Sequence, residues 1–312
     1  MSVKAVMKTL KTGLILFVLT TFVAAGCKEV SGDDTPADNA EISNLFSAAQ
    51  EVGTIASEDI DEASGLVASR SNSNYLWTHN DSGGEPIVYL MSKTGADASK
   101  ARLEGAQNID WEDIAMGPGP DDAIQYLYVG DIGDNSARRS NLTIYRVAEP
   151  DLNIANIPST QTLPNLEAIN YVYSNGARDA ESLMVDPLTK DIYIVSKRES
   201  QVGLYKLPYP QSLIEMDTAE FLMNMPYSGF VGGDISMDGS EILIKTYFEI
   251  YHWPRANGTT VKDALTEKPS RLAYTAEPQG EAICFSTDGS GFFTVSEKNS
   301  ADPVPLLFYR RN

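Results

Sequence analysis

Five segments of the chain share one pattern, in which an acidic residue is followed by small and apolar residues. Four of them read Glu62-Ala-Ser-Gly-Leu, Glu112-Asp-Ile-Ala-Met, Glu181-Ser-Leu-Met-Val and Glu281-Ala-Ile-Cys-Phe, and a weaker copy reads Asp234-Ile-Ser-Met. Successive starts are 50, 69, 53 and 47 residues apart. Repeats of about this length are typical of four-stranded propeller blades. We therefore interpret each segment as the innermost strand of a blade.

Each acidic segment is followed by further stretches rich in β-branched and aromatic residues, a composition that favours strands. The second strands predicted in this way cover residues 75–78, 126–129, 191–195, 241–244 and 291–295. The third strands cover residues 87–91, 142–147, 203–207, 249–253 and 305–309. Fourth strands are predicted at 168–173 and 271–274, whereas the last unit ends after three strands.

The fourth strand that the last unit lacks can come from the N-terminal end of the domain. Residues 50–56 can supply its outer strand, which closes the ring and removes exposed edges. We therefore predict an all-β fold, a five-bladed β-propeller of four-stranded blades closed by an N-terminal strand. Six blades are the alternative, because the long second unit has room for more strands.

The N-terminal segment has the layout of a secretory signal. Three lysines precede an apolar stretch at residues 14–23, and Ala24, Ala25 and Gly26 stand directly before Cys27. This ending is similar to a lipobox, whose cysteine is acylated after cleavage. We predict a signal peptide over 1–26, the lipidated Cys27 with a disordered acidic tether over 27–45, and a single β-propeller domain over 46–312.

These features place the chain in the cell envelope, held in the membrane by its lipid anchor only. Lys28 follows the acylated cysteine and favours the outer over the inner membrane. The net charge of −19 argues against nucleic acid and anionic membrane surfaces as partners. We expect a monomer whose partner is a small anionic ligand or an envelope component.

The acidic strand starts should converge on one end of the central channel, because every innermost strand of a propeller begins there. The metal ligands predicted on this basis are Glu62, Glu112, Glu181, Asp234 and Glu281. Like charges at short range raise one another's pKa, and a bound cation relieves this. Calcium suits carboxylates, whereas two scattered histidines and no usable cysteine do not suit zinc. The alternative is that these residues bind backbone N–H groups, lysines and arginines without any ion.

Second strands return to the same end of the channel, so the residues that follow them should line its mouth. The ligand-binding residues predicted there are His79, Asp81, Arg138, Lys197, Arg198, Lys245 and Lys298. Basic groups beside a metal-filled carboxylate ring fit a phosphate or carboxylate ligand. The alternative is that they form salt bridges with the ring.

Three motifs carry a resemblance to known proteins. Glu112-Asp-Ile-Ala, Tyr128-Val-Gly-Asp-Ile-Gly-Asp-Asn135 and Asp179-Ala-Glu-Ser-Leu resemble bacterial β-propeller lipoproteins of uncertain activity. More remotely, Leu127-Tyr-Val-Gly, Glu181-Ser, Lys197-Arg198 and Gly280-Glu281 occur in an order similar to that of the five-bladed calcium-activated nucleotidases, or apyrases. That resemblance implies calcium in the central channel, hydrolysis of nucleoside diphosphates, and Glu112, Glu181 and Glu281 as ion ligands.

The sequence therefore predicts a propeller that holds a cation in its channel and binds an anionic or polar ligand at the channel mouth. The alternative function is a calcium-dependent phosphohydrolase. In that case the ion with Lys197, Arg198 or Lys245 holds a phosphate, and a carboxylate, Glu181 or Asp131, activates water. The two functions differ in turnover, which only the second predicts.

Overall fold

A computed structural model describes residues 41–96, 98–150, 158–298 and 303–312. The described part is all-β, with one helix of six residues. No helix within these ranges is long and apolar enough to span a bilayer. The predicted signal peptide, Cys27 and the tether up to residue 40 lie outside the described residues.

The described residues form 22 short strands and a helix. The first strands are β1 (Ile42–Ser43), β2 (Gln50–Thr54), β3 (Ala63–Ala68), β4 (Tyr75–Asn80), β5 (Ile87–Ser92) and β6 (Ser99–Leu103). The next are β7 (Trp111–Pro118), β8 (Gln125–Asp131), β9 (Leu142–Ala148), β10 (Thr160–Leu163), β11 (Glu167–Tyr173), β12 (Ala180–Val185), β13 (Ile192–Ser196), β14 (Gly203–Leu207) and β15 (Asp217–Asn224). The last are β16 (Phe230–Ile235), β17 (Glu241–Thr246), β18 (Ile250–Pro254), helix α1 (Val261–Thr266), β19 (Ser270–Leu272), β20 (Ala282–Phe285), β21 (Gly291–Val295) and β22 (Pro305–Arg310).

These strands pair in five antiparallel groups of four, mostly through successive hairpins. The groups are β3-β4-β5-β6, β7-β8-β9-β11, β12-β13-β14-β15, β16-β17-β18-β19 and β20-β21-β22-β2. Parallel pairing extends them: β10 adds to β6, β1 adds to β19, and β11 pairs with β15 to join two groups into one eight-stranded sheet. The second and third strands lie close to their predicted ranges.

The first strands of the five groups pack side by side in a closed ring. In ring order they are β3, β7, β12, β16 and β20, and β20 packs against β3. Most of their residues are small or apolar and nearly all are buried; the charged members are Glu112, Asp113, Glu181 and Asp234. Gly232 shows why small residues are needed, because a Cβ there would overlap the carbonyl oxygen of Glu281 on the neighbouring chain segment.

The predicted N-terminal strand is confirmed, because β2 pairs antiparallel with β22 near the chain's C-terminus. Just before it, Phe46 forms a β-bridge with Arg311. Ile42 and Ser43, which the sequence assigned to the tether, pair with β19. Segments from both ends of the domain are thus fixed by backbone hydrogen bonds.

Large apolar side chains fill the spaces between neighbouring groups. Trp77 and Trp111 belong to the cluster between the first and second groups, Tyr205 to the next cluster, and Phe230 and Trp253 to the one after that. Burial of one such side chain contributes about 1.5–3 kcal/mol. Because each group packs on two neighbours, the ring strands at the centre are held in fixed relative positions.

Candidate metal centre

A cluster of carboxylates lies where three ring strands begin. Glu112 and Glu181 are the second residues of β7 and β12, and Glu281 directly precedes β20. Asp81 follows β4, and antiparallel pairing with β3 returns it to the same end of the ring. Its backbone N–H donates to the carbonyl oxygen of Glu62 at 2.9 Å, which anchors this return.

Beta-bulges give two of these carboxylates their direction. The pairing register of β7 with β8 shifts between Trp111 and Asp113, and that of β12 with β13 shifts between Ala180 and Ser182. The extra residues in these bulges are Glu112 and Glu181. A bulge removes a residue from the ladder and re-aims its side chain, and bulges are frequent next to functional sites.

Two groups of three carboxylates come close enough to share a cation. Asp81, Asp110 and Glu112 each offer an oxygen within 4.8 Å of the others, and so do Glu112, Asp179 and Glu181. We call these the first and the second triad. Glu112 belongs to both, so the two triads are continuous.

Glu112 is central to the cluster because both triads contain it. It is 4% exposed, and no described residue donates a hydrogen bond to its carboxylate. Oδ1 of Asp81, in the same triad, is also buried without a hydrogen-bond partner. Gly133 lines this space: a Cβ there would overlap Oε1 of Glu112 and lie 2.5 Å from Oδ2 of Asp110. Buried oxygens without donors are rare in proteins and indicate a missing partner.

The pKa values reflect this crowding. Burial raises the pKa of Asp81 to about 6, helped by the charge of Glu281. Burial also raises the pKa of Glu112 well above its usual range, with Glu181 and Asp81 adding to the effect. The pKa of Glu181 is raised to about 8 by burial, although Lys197 acts in the opposite direction. The carboxylates therefore destabilise one another when all are ionised and no cation is bound.

Protein cations already neutralise the second triad. Nζ of Lys197 forms an ion pair with Glu181, and Nε of Arg198 forms one with Asp179. Arg198 also donates to Oδ1 of Asn135, which ties the loop after β8 to the cluster. In the first triad, by contrast, none of the carboxylates forms an ion pair with a described lysine or arginine.

Glu281 is satisfied by neutral donors. The hydroxyl of Tyr247 donates to its Oε1, and Oγ of Ser64 donates to its Oε2 at 3.1 Å. The Tyr247 oxygen in turn accepts a hydrogen bond from Lys197 Nζ at 3.2 Å. Lys197 and Tyr247 therefore connect Glu181 to Glu281 across the ring opening.

Three predicted metal ligands stand outside both triads, namely Glu281, described above, and Glu62 and Asp234. Glu62 is exposed and lies one residue before β3. Asp234 lies four residues into β16, where its Oδ2 accepts from the backbone N–H of Phe285 at 2.8 Å. The residues that match Glu112 in strand position are Ser64 in β3 and Val231 in β16, and bulges occur at both. The acidic residues of these two units, Glu62 and Asp234, are therefore offset along their strands from the position that Glu112 occupies in β7.

The predicted catalytic and basic residues are placed in different surroundings. Asp131 is fully buried and pairs with Arg139 through its Oδ1 at 2.7 Å. Lys245 is also fully buried, donates to the carbonyl oxygen of Gly280, and has its pKa lowered to about 8 by burial. His79 has its pKa lowered to about 4 by burial, so it is neutral at neutral pH. Arg138 and Lys298 are exposed at the surface.

Sequence reasoning missed Asp179 as a ligand candidate, although a signal was present. Asp110-Trp-Glu112 and Asp179-Ala-Glu181 repeat the same spacing of two carboxylates at the starts of β7 and β12. Tyr247 and Gly133 carried no comparable signal, because their roles depend on contacts with distant parts of the chain. Cys284 is buried as expected, and burial raises the pKa of its thiol well above the usual range.

Comparison with known proteins gives no family assignment. No protein-family model matches the chain, and no curated protein matches it at a significant level.

Proposed function

We propose that the five strand groups are the blades of a β-propeller and that the first triad binds calcium at one end of its central channel. The closed ring of first strands supports the propeller. The metal site rests on one observation, the buried Oδ1 of Asp81 that has no hydrogen-bond partner and lies in the same triad as the nearly buried Glu112. A divalent cation would supply the missing partner.

The chemistry of the triad favours calcium among the common ions. Both triads consist of carboxylates alone, without histidine or cysteine. Calcium accepts six to eight oxygen ligands in flexible geometry, whereas zinc prefers nitrogen and sulfur. Three carboxylates leave several positions of the ion open, and an oxygen of an incoming ligand would complete them. The ligand is therefore anionic or polar.

The surroundings of the triad fit such a ligand. Arg198 has a half-exposed side chain, and Lys197 is partly exposed at the rim. We further propose that the chain is an envelope lipoprotein attached through Cys27, on the signal-like pattern of residues 4–27. In this proposal the lipid on Cys27 anchors the chain in the membrane, and the folded domain carries the binding site.

The test is thermal unfolding of the purified full chain, first in chelator and then in excess calcium. An ion that binds only the folded state at 100 times its Kd stabilises by about 2.7 kcal/mol. For a domain of this size we expect the Tm to rise by about 5–10 °C. Glu112→Gln should remove the calcium effect, while the matched variant Glu104→Gln, at an exposed position, should keep it. No shift in the wild type, together with no bound metal by elemental analysis, would refute the metal site.

One observation supports the phosphohydrolase as a second candidate. Burial raises the pKa of Glu181 to about 8, so this carboxylate, which pairs with Lys197, takes up a proton more readily than an ordinary glutamate and can accept one from an attacking water. Calcium-dependent release of phosphate from a nucleoside diphosphate, lost in Glu181→Gln, would establish this activity. Ligand binding without turnover across such substrates would leave the binding function alone.

A further inference from the structure

A separate cavity of about 510 Å³ opens beside the carboxylate cluster. Its polar lining includes Gln107, Arg139, Asn141, Thr143, Tyr145 and Asn170. In a protein of net charge −19 this lining contains no aspartate or glutamate among the described residues, and Arg139 is its single charged member. The cavity is therefore chemically distinct from the metal centre.

The second strand group builds this lining on a rigid support. Asp131 of β8, Thr143 of β9 and Asn170 of β11 are cross-strand partners and form a polar row on one face. Two residues further along the strands, Tyr145 and Ala168 form the next row, which belongs to the apolar packing between the first two groups. The cavity thus lies where apolar packing between these groups ends.

The hydrogen bonds within the lining leave donors free. Thr143 Oγ1 donates to Oδ1 of Asn170 at 3.0 Å, and Ser140 Oγ donates to Oδ1 of Asn141 at 3.2 Å. Both amide oxygens are therefore occupied, whereas no described residue accepts from either NH₂ group. The Tyr145 oxygen accepts from the backbone N–H of Gln107 at 3.1 Å, which likewise leaves its own proton available.

Arg139 adds further donors without making the cavity an anion site. Its Nη1 donates to Oδ1 of Asp131 at 2.7 Å and to the carbonyl oxygen of Gly133 at 2.8 Å. The charge of Arg139 is therefore balanced by a buried carboxylate, while the rest of the guanidinium faces the cavity lining. A ligand that satisfies these groups must offer many oxygen acceptors and little net charge.

We propose that this cavity binds a neutral sugar ring. Vicinal hydroxyls accept from the amides of Asn141 and Asn170, and the apolar face of the ring packs on the exposed side chain of Ile109 in the same lining. Phosphate or a free carboxylate would leave most of these neutral donors unused and would find no unbalanced cation. The sugar touches none of the triad carboxylates, so its binding does not depend on calcium or on the function proposed above.

The test uses saturation-transfer NMR on the full chain in a zwitterionic detergent without a sugar headgroup. The probes are methyl glycosides of glucose, galactose and mannose, methyl N-acetylglucosaminide and, as an anion, inorganic phosphate. We expect at least one glycoside to bind equally in chelator and in calcium. Asn141→Ala and Gln107→Ala, which remove partly exposed or exposed side chains, should each weaken binding about fivefold. Asn257→Ala, an exposed amide outside this lining, should leave the affinity unchanged.

Three results would overturn the sugar site. The first is no transfer signal from any glycoside, with protein that shows the wild-type melting curve. The second is an affinity in Asn141→Ala and Gln107→Ala equal to that of wild type. The third is phosphate binding in chelator that both variants weaken. The last result would identify an anion site. A calcium shift with no sugar binding would refute this site alone, and sugar binding with no calcium shift would refute only the metal centre.

Discussion

Replacing Asp234 by Asn separates its structural role from the metal-binding role that the sequence suggested. Asp234 is buried in ring strand β16, and its Oδ2 accepts the backbone N–H of Phe285 from the neighbouring strand β20. Burial raises the pKa of Asp234 to about 7, against the opposing charge of Arg70. Asparagine keeps an acceptor oxygen for Phe285 and removes the charge that burial disfavours.

The magnitude follows from the two pKa values. The unfolded chain binds this proton with the ordinary pKa of 3.8, whereas the folded chain binds it with a pKa of about 7. The folded state therefore holds more protons between these values, and stability falls as pH rises through that window, then levels off above it. One proton changes the free energy of unfolding by 1.36 kcal/mol per pH unit. Between pH 5 and pH 8 wild type should lose about 2–3 kcal/mol relative to Asp234→Asn.

The assay is urea unfolding of both proteins at pH 5, 6, 7 and 8, in chelator. The difference between the two proteins cancels groups that titrate identically in both, whereas the buried Asp113 and Cys284 interact with Asp234 and have pKa values that shift with its charge. A difference that does not change with pH would refute the raised pKa. A calcium-dependent Tm shift that disappears in Asp234→Asn would instead identify Asp234 as a metal ligand.

Two further predictions concern packing at the metal centre and the thiols. Gly133→Ala places a methyl group against Glu112, so calcium should stabilise this variant much less than wild type. The control Gly84→Ala adds a methyl group whose nearest neighbour is Nδ2 of Asn108 at 3.8 Å, and it should respond normally. Equal responses of the two variants to titrated calcium would contradict the site. Cys284 is buried, so a thiol reagent should react with it only in denaturant. If Cys27 is acylated, protein isolated from the envelope should show one reactive thiol per chain in denaturant, and a second thiol would contradict lipidation.

The strands could be predicted from the sequence because their signals are local. The content of β-branched and aromatic residues placed the second and third strands near their observed positions, and the outer strand β2 followed from the need to close the last group. The register of the ring strands was harder. Glu62 and Asp234 are followed by small and apolar residues, as Glu112 is. Yet Glu62 stands one residue before β3, and Asp234 stands four residues into β16. Only backbone pairing fixes that offset, and bulges shift it again.

Asp113 shows why residue type alone could not separate structural from functional acids. It adjoins Glu112, but its Oδ2 accepts from the backbone N–H groups of Leu183 at 2.9 Å and Gly233 at 3.3 Å. Neighbouring ring strands are not joined by a hydrogen-bonded ladder, so their N–H groups need other acceptors, and Asp113 and Asp234 supply them.

This division of roles explains the placement of the proposed cation. Acids that face ring-strand N–H groups are satisfied inside the ring, and Glu181 and Asp179 of the second triad pair with Lys197 and Arg198 at its opening. Only the first triad has neither backbone donors for its Glu112 carboxylate nor an ion-paired lysine or arginine. Because buried carboxylates without such partners destabilise a fold, the unmatched charge marks the position where an external cation contributes most to stability.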